Sequence, residues 1–565
     1  MNSIFKFSNL PILFLLCGLI YFPFLGEINL FDWDETMIAS VSKEMFMKSE
    51  VLQPWLNGKY FLEVPPFFFW LQLFSFKYLG INEYAARIPN AICAILVVLT
   101  LYKNGKRIYS SSFGMMWSII YMAMILPQFY HKSGLLDPWF NFFIYLSLYN
   151  ITRVIEARQE KGEEFYKRRD VFSNLFYSSL AVTGAVMTKG IEGYIVVVVT
   201  YWLVFIFSSA KYGFGYGNIL KWTIYLFLLV MIWIGLEYKW HGKDYLTQFI
   251  HYQWSDLDIR KASWTNRLTF QFIVLFVGCF PASAIFLNSF QVKTYESTIQ
   301  KIFRLTMVSC LIIVLIISCL FKNKIVHYSA LAYYPISFLA AYSLRYIMEE
   351  GEKLRKISLF LIIIGGLIWT AGLTIVPITR ANLGEIKNYI HEDTLLEALS
   401  MNYPWKNLEI IIGVVFFALF LMALVLIITK KVRAALILLF FSCMIVSEII
   451  LVYYIPKVEQ LTQGAQIDFV KQNKEEKAYY YYYGGRSFIS NFYSIEPLSI
   501  IENFTMDSLD YYKKSKYPFY IITKKSDTAQ LAPYQKKLQH LYQQGIYSFY
   551  KIKTTQEKKN RSLFR

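Results

Sequence analysis

Charge is scarce in this chain. Only 17% of its 565 residues are charged, against about 25% in an average soluble domain, while 56% are hydrophobic and 19% aromatic. So little charge excludes an ordinary water-exposed globule. Cysteine is also sparse: Cys17, Cys93, Cys279, Cys310, Cys319 and Cys443 all lie in apolar runs. None has metal-ligand spacing, so they read as small buried hydrophobes, without a disulfide framework. No small-x-small cleavage site follows the first run, "LPILFLLCGLIYFPFLG", so that run reads as a retained helix and not as a signal peptide. The apolar runs lack the alternation of barrel strands. Lipid then leaves one architecture, an α-helical polytopic membrane protein.

The runs are about 20 residues long, enough to cross a hydrocarbon core of about 30 Å. About thirteen spans are expected, near 8–26, 86–102, 112–129, 135–152, 171–187, 191–209, 219–237, 268–289, 305–321, 325–344, 357–377, 408–429 and 434–455. With the N-terminus cytoplasmic, every second loop is cytoplasmic and carries Lys or Arg, as in "YKNGKR" and "TKKVR". The net charge of +18 therefore marks cytoplasmic loops and anionic lipid head groups, with no nucleic acid implied. "HKSG" and "KNK" are basic exceptions among the external loops.

The long external loop at 27–85 is ordered. "DETMIASVSKEMFMKS" spaces Met37, Val41 and Met45 four apart, as in a helix, and "FLEVPPFFFWLQLFSFKYLG" is an aromatic amphipathic segment. Both are expected along the outer bilayer surface. The composition changes near 457. A membrane domain over 1–456 and a small external α/β domain over 457–565 are expected. In the tail, "KAYYYYYGGRSFIS", "YPFYIITKK" and "YSFYKIKT" read as strands, and "PYQKKLQHLYQQG" as a helix closed by glycine.

Three carboxylates, Asp32, Asp34 and Glu35, follow the first span in "FDWDETMIAS". Asp32 fits a solvated loop. Asp34 could cap the next helix and Glu35 could be first-turn charge. Other polar residues fall at the external ends of other spans: Asp137 in "LLDPWFNFF", Lys189 in "VMTKG", and Lys324, His327 and Tyr328 in "KNKIVHYSALAYYP". Asp137 could cap its helix, and the lysines could snorkel to the interface. Positions 324, 327 and 328 share one face of an α-helix. Ionisable groups at span ends usually face an interior or cavity. Together these residues could form an outward-facing cavity with both signs of charge.

In order, "DWDETMIASVSKEM", "LNGKYFLEVPP", "GINEYAARIPN", "LLDPWFNFF", "VMTKG", "VGCFPAS" and "NKIVHYSALAYYP" resemble the polyprenyl-phosphate-dependent glycosyltransferases of the GT-C fold. Within that group they are similar to bacterial protein O-mannosyltransferase-like enzymes and the lipid A aminoarabinose transferase. The motifs run from about residue 30 to 340. The resemblance implies a sugar carried on an isoprenoid phosphate such as undecaprenyl phosphate. It implies transfer to lipid A, another glycan or a protein on the external face of the cell inner membrane. It places Asp34 as general base or acceptor-positioning group and Glu35 beside it. Lys189, Lys324, Tyr328, His327, Asp137 and Arg87 would bind the donor's phosphate and sugar.

The chain departs from the family at Val64, where relatives have lysine after the glutamate matched by Glu63. Some relatives hold a divalent metal between that glutamate and a histidine; here Gln253 falls near the histidine's place, with His251 two residues away. Glu63 is thus the single candidate metal ligand. A multi-span transporter or flippase is the alternative, although neither an inverted repeat nor paired broken helices are evident.

Overall fold

The computed structural model describes residues 9–160, 168–256, 265–291, 296–320, 325–349, 353–381, 407–495, 497–498 and 505–553. Lys324 lies outside them. Each expected span overlaps a helix. The membrane part begins with α1 (Asn9–Tyr21), α2 (Asp34–Met47) and the two-stranded hairpin β1 (Trp55–Leu56) and β2 (Lys59–Tyr60). It continues through α3 (Phe67–Leu79), α4 (Glu83–Ile108), α5 (Ser111–Ala123), α6 (Ile125–His131), α7 (Asp137–Glu160), α8 (Arg168–Lys189) and α9 (Glu192–Phe207). Then come α10 (Tyr216–His241), α11 (Asp244–Asp256), α12 (Thr265–Gly278), α13 (Ala282–Ile285), α14 (Thr298–Leu320), α15 (Tyr333–Glu349), α16 (Lys356–Ala381), α17 (Asn407–Ile428) and α18 (Val432–Ile449).

Among the described residues, seven helices are long and apolar enough to cross a membrane, or nine if each of two bent pairs is one span. The bends are 75° between α5 and α6 and 111° around "CFPAS". These helices make the chain a multi-pass membrane protein. Helices α7 and α15 fall outside that set for a physical reason. Fourteen of the 17 residues of α15 are buried, and α7 buries Asn141, Ser147 and Thr152 against other helices. Protein-facing helices can carry polar side chains that lipid-facing ones cannot.

Two expectations for the external loop divide. Helix α2 forms as its spacing predicts, with Met37, Val41 and Met45 buried. It is covered on more than one face, since ten of its 14 residues are buried. Its cover is α3 on one side and the tail on the other. Helix α3 keeps Phe74 and Tyr78 exposed, as an interfacial segment should.

The boundary expected at 456/457 falls inside a helical run that continues from Val432 to Gln472. Beyond it stands a five-stranded sheet in the order β4–β3–β5–β7–β6, made of β3 (Ala478–Tyr483), β4 (Pro497–Leu498), β5 (Phe519–Lys524), β6 (Leu538–Gln544) and β7 (Tyr547–Ile552). Strand β3 pairs in parallel with β4 and β5, and β7 pairs antiparallel with β5 and β6. The run of five tyrosines in β3 alternates across the sheet. Tyr480 and Tyr482 join Phe469, Tyr520 and Phe549 on one face, while Tyr479, Tyr481 and Tyr483 join Phe519 and Ile521 on the other.

One tail element differs from expectation. "PYQKKLQHLYQQG" is the end of a 3-10 helix, Lys525–Lys537, followed by strand β6. Gln544 pairs with Tyr547, leaving Gly545 and Ile546 as a two-residue hairpin loop. Gly545 has φ +60°. The glycine that read as a helix stop serves a turn needing positive φ.

Candidate functional site

The site is built where the N-terminus of α2, the start of α7, the end of α8 and the 3-10 turn Val326–Ala332 meet. Asp34 is the first helical residue of α2, and the cap position is Trp33, whose side chain makes no capping bond. Capping therefore does not account for Asp34. Asp32 is tied down instead: its Oδ1 accepts from Thr36 Oγ1 at 2.8 Å and from the backbone N–H of Phe488 in the tail at 3.0 Å.

The Asp34 side chain is 42% exposed and its Oδ2 lies 4.0 Å from His327 Nδ1. The other ring nitrogen, His327 Nε2, lies 3.9 Å from Asp137 Oδ2. Asp137 is 7% exposed and receives Lys189 Nζ at 3.0 Å on Oδ1. Lys189 Nζ also sits 5.6 Å from the Tyr328 ring centroid and 5.5 Å from that of Phe140. Asp34, His327, Asp137, Lys189 and Tyr328 thus form one chain of side chains, although they come from four elements. Partial burial pushes the Asp34 carboxyl above its ordinary range; His327 and Lys189 oppose the rise, while Asp137 and Asp32 add to it. A carboxylate so placed is a better base than one in water.

His327 and Tyr328 do not lie on the α-helix expected to open the tenth span. Val326–Ala332 is a 3-10 helix and α15 begins at Tyr333. The expected facing of position 324 with 327 and 328 falls on a residue outside those described. His327 is brought in as a bridge between two carboxylates.

Glu35 and Arg87 correct the expectation most directly. Each is 3% exposed, and they are committed to each other. Glu35 Oε1 accepts from Arg87 Nε at 2.7 Å and from Gly134 N at 2.6 Å; Oε2 accepts from Arg87 Nη2 at 2.8 Å and from Phe31 N at 2.8 Å. Arg87 also donates to the carbonyls of Leu25, Ile28 and Asn29. Every strong acceptor direction of Glu35 is used, so it has none left for a substrate proton. The pair pins the turn before α2 to α4 and to the start of the α7 approach.

The Glu63 region does not fit a bound divalent ion. Among the described residues, no group of three or more His, Cys, Asp and Glu could hold one. Gln253 Nε2 donates to the backbone carbonyls of Leu62 and Glu63 at 3.1 and 3.0 Å. The amide at the family histidine's place therefore presents N–H groups to this loop, where an ion needs lone pairs. His251 is exposed. Val64 packs against the main core.

The tail is held by partners that no local pattern brings together. Lys43, on α2, is buried and donates to the carbonyls of Asn491 (3.0 Å), Phe492 (2.9 Å) and Ser494. It thereby ties α2 to the C-terminal end of the short helix Ile489–Tyr493. Gln463 accepts from Asp32 N at 2.9 Å, and Tyr493 Oη accepts from Leu30 N at 2.7 Å. Asn29 donates to Glu459 at 3.1 Å. The basic exception "HKSG" is explained similarly: Lys132 pairs with Glu448 of α18 at 2.6 Å.

Residues 63–235, under a third of the chain, match the family described as dolichyl-phosphate-mannose-protein mannosyltransferase. The crystal structure of ArnT from Cupriavidus metallidurans bound to undecaprenyl phosphate has the same fold, with TM-score 0.72 at 14% identity over 96% of this chain and 97% of that one. An uncharacterized protein of Aquifex aeolicus is 28% identical over 41% of this chain and 44% of its own length. An undecaprenyl phosphate-alpha-4-amino-4-deoxy-L-arabinose arabinosyl transferase of Wigglesworthia glossinidia brevipalpis is 23% identical over 62% of this chain. The match spans 61% of that relative's length.

Proposed function

We propose that the protein transfers a sugar from a polyprenyl phosphate, such as undecaprenyl phosphate, to an acceptor on the external face of the inner membrane. The observation that carries this is the chain from Asp34 through His327 and Asp137 to Lys189, a base and a cation held within one small region. The acceptor hydroxyl gives its proton to Asp34 as its oxygen bonds the sugar carbon. The bond from that carbon to the phosphate oxygen breaks, and the carrier phosphate leaves with added negative charge. Lys189 meets that charge and Tyr328 flanks it. His327 holds Asp34 and Asp137 in register. Glu35 and Arg87 position α2 and take no part in bond making. The cytoplasmic N-terminus and external tail belong to this proposal, as do the division at about residue 456 and the acceptor classes lipid A, glycan and protein.

The transporter alternative has less support. The ionisable groups of the site gather beside the tail, and the fold is that of a carrier-dependent transferase. In membranes of a deletion strain, mass spectrometry should find polyprenyl-phosphate sugars accumulating, and the wild-type protein should consume them. Asp34→Asn should slow that consumption by about 10²–10⁴ while expression is unchanged. Full consumption by Asp34→Asn, or movement of the intact lipid-linked sugar across sealed vesicles without bond cleavage, would overturn the proposal.

A further inference from the structure

A cavity of about 760 Å³ lies between the membrane part and the tail, within the range of small-ligand sites, about 300–1,000 Å³. It adjoins the candidate site. Met37, one of its walls, follows Asp34 by one turn of α2. Phe488, another wall, is held by Asp32 through its N–H and packs edge-on against Trp33 at 5.3 Å. The remaining walls come from the β1–β2 hairpin, from Tyr252 of α11, and from Tyr480, Tyr482 and Asn491 of the tail.

The walls combine apolar side chains, among them Leu56, Phe61 and Leu62, with tyrosine rings, hydroxyls and amides, and the lining's one lysine and one glutamate, Lys59 and Glu63, cancel in charge. The tyrosines are fixed in place: Tyr482 Oη accepts from Ser490 N at 3.1 Å and Tyr480 Oη donates to the Asn473 carbonyl at 3.3 Å. Asn491 Nδ2 donates to Asn57 Oδ1, joining tail and hairpin across the cavity edge. Rigid aromatic faces suit the C–H faces of a pyranose ring, and side-chain amides and hydroxyls suit its ring hydroxyls. A phosphorylated ligand would call for clustered arginine and lysine.

We propose that this cavity binds a neutral glycan portion of the acceptor, and that the tail is the acceptor-recognition element of the enzyme. The proposal rests on the transferase reading above. It gives Lys43 and Asp32 a purpose beyond stability, because they fix the recognising wall to the helix that begins with Asp34.

Saturation-transfer NMR on the full chain in nanodiscs tests it, with a mixture of gluco-, manno- and N-acetylglucosamine trisaccharides as probe. A Ser/Thr-rich peptide and lipid A serve as competing probes. Saturation should reach the sugar ring protons. Asn491→Ala and Tyr252→Ala should each weaken sugar binding about five-fold, as for one lost neutral hydrogen bond or its equivalent in contact. Undecaprenyl phosphate binding should be unchanged in both variants, which also shows that they fold. No transfer to any sugar overturns the proposal, as does sugar binding indifferent to both substitutions, or preference for the peptide or lipid A. Failure of the wild-type chain to bind undecaprenyl phosphate counts against the transferase reading itself, separately from the sugar result.

Discussion

Glu35→Gln should damage the protein far more than a loss of one charge suggests. Both carboxylate oxygens accept two hydrogen bonds: Oε1 from Arg87 Nε and Gly134 N, Oε2 from Arg87 Nη2 and Phe31 N. A glutamine amide can be placed either way round, and in both its NH₂ faces two donors. Two bonds are lost and the Arg87 guanidinium is left buried without a counter-ion. Stranding one member of a buried pair costs about 3–5 kcal/mol. Thermal unfolding in detergent should therefore show a large loss of stability, with transfer activity lost as well. The second arm separates structure from chemistry. Glu35→Leu combined with Arg87→Met removes both charges and keeps an elongated apolar pair, and such replacements are often neutral or stabilising. The pair also satisfies the Leu25, Ile28 and Asn29 carbonyls and the Phe31 and Gly134 N–H groups, so the double variant, which leaves these unbonded, should recover no more than part of the stability lost by Glu35→Gln, with activity following stability. Wild-type stability for Glu35→Gln would refute the reasoning. A stable but wholly inactive double variant would restore Glu35 to the reacting groups.

The remaining predictions concern titration. Because Asp34 must be ionised to accept a proton, activity should rise with pH through a value above the ordinary carboxylate range. His327→Gln removes a group that holds that value down, so the acid limb of the pH–rate profile should move to higher pH; a shift to lower pH would contradict the His327–Asp34 contact. Lys43 is pushed down to about 8 from 10.5 by burial, so the released state binds its proton more tightly than the docked one. Docking of the tail should therefore strengthen as pH rises from about 8 to 10.5, by up to about 3 kcal/mol. Hydrogen exchange at residues 489–494 measures it, and Lys43→Met should abolish the dependence.

Local signals carried far into this fold. Runs of apolar residues found the helices, and a spacing of four found α2, because both depend on one segment at a time. Failures came where a residue's meaning depends on a distant partner. Gly545 ends a segment in either reading, and only its pairing strand decides between a helix stop and a hairpin. Glu35 and Arg87 stand 52 positions apart. Each reads alone as a candidate for chemistry, and only their mutual burial shows otherwise. The three carbonyl acceptors of Lys43 in "SVSKEM" lie more than 440 positions away, out of reach of any local pattern.

The same distinction sorts the three carboxylates of "FDWDETMIAS". Asp32 is spent on Thr36 and the tail, and Glu35 on Arg87 and two backbone N–H groups. The donors on Glu35 would have to be released before it could take a substrate proton, and those on Asp32 hold its Oδ1 to the turn and the tail. Asp34 differs in kind. Its nearest ionic neighbour is a histidine at 4.0 Å, beyond hydrogen-bond reach, and it keeps a large part of its surface open. A base needs an accessible lone pair and surroundings that stay put while the proton moves. The flanking carboxylates supply the second requirement by holding the turn on both sides, and Asp34 supplies the first. Under the proposed function, three acids in four residues make one reactive group and the two anchors that aim it.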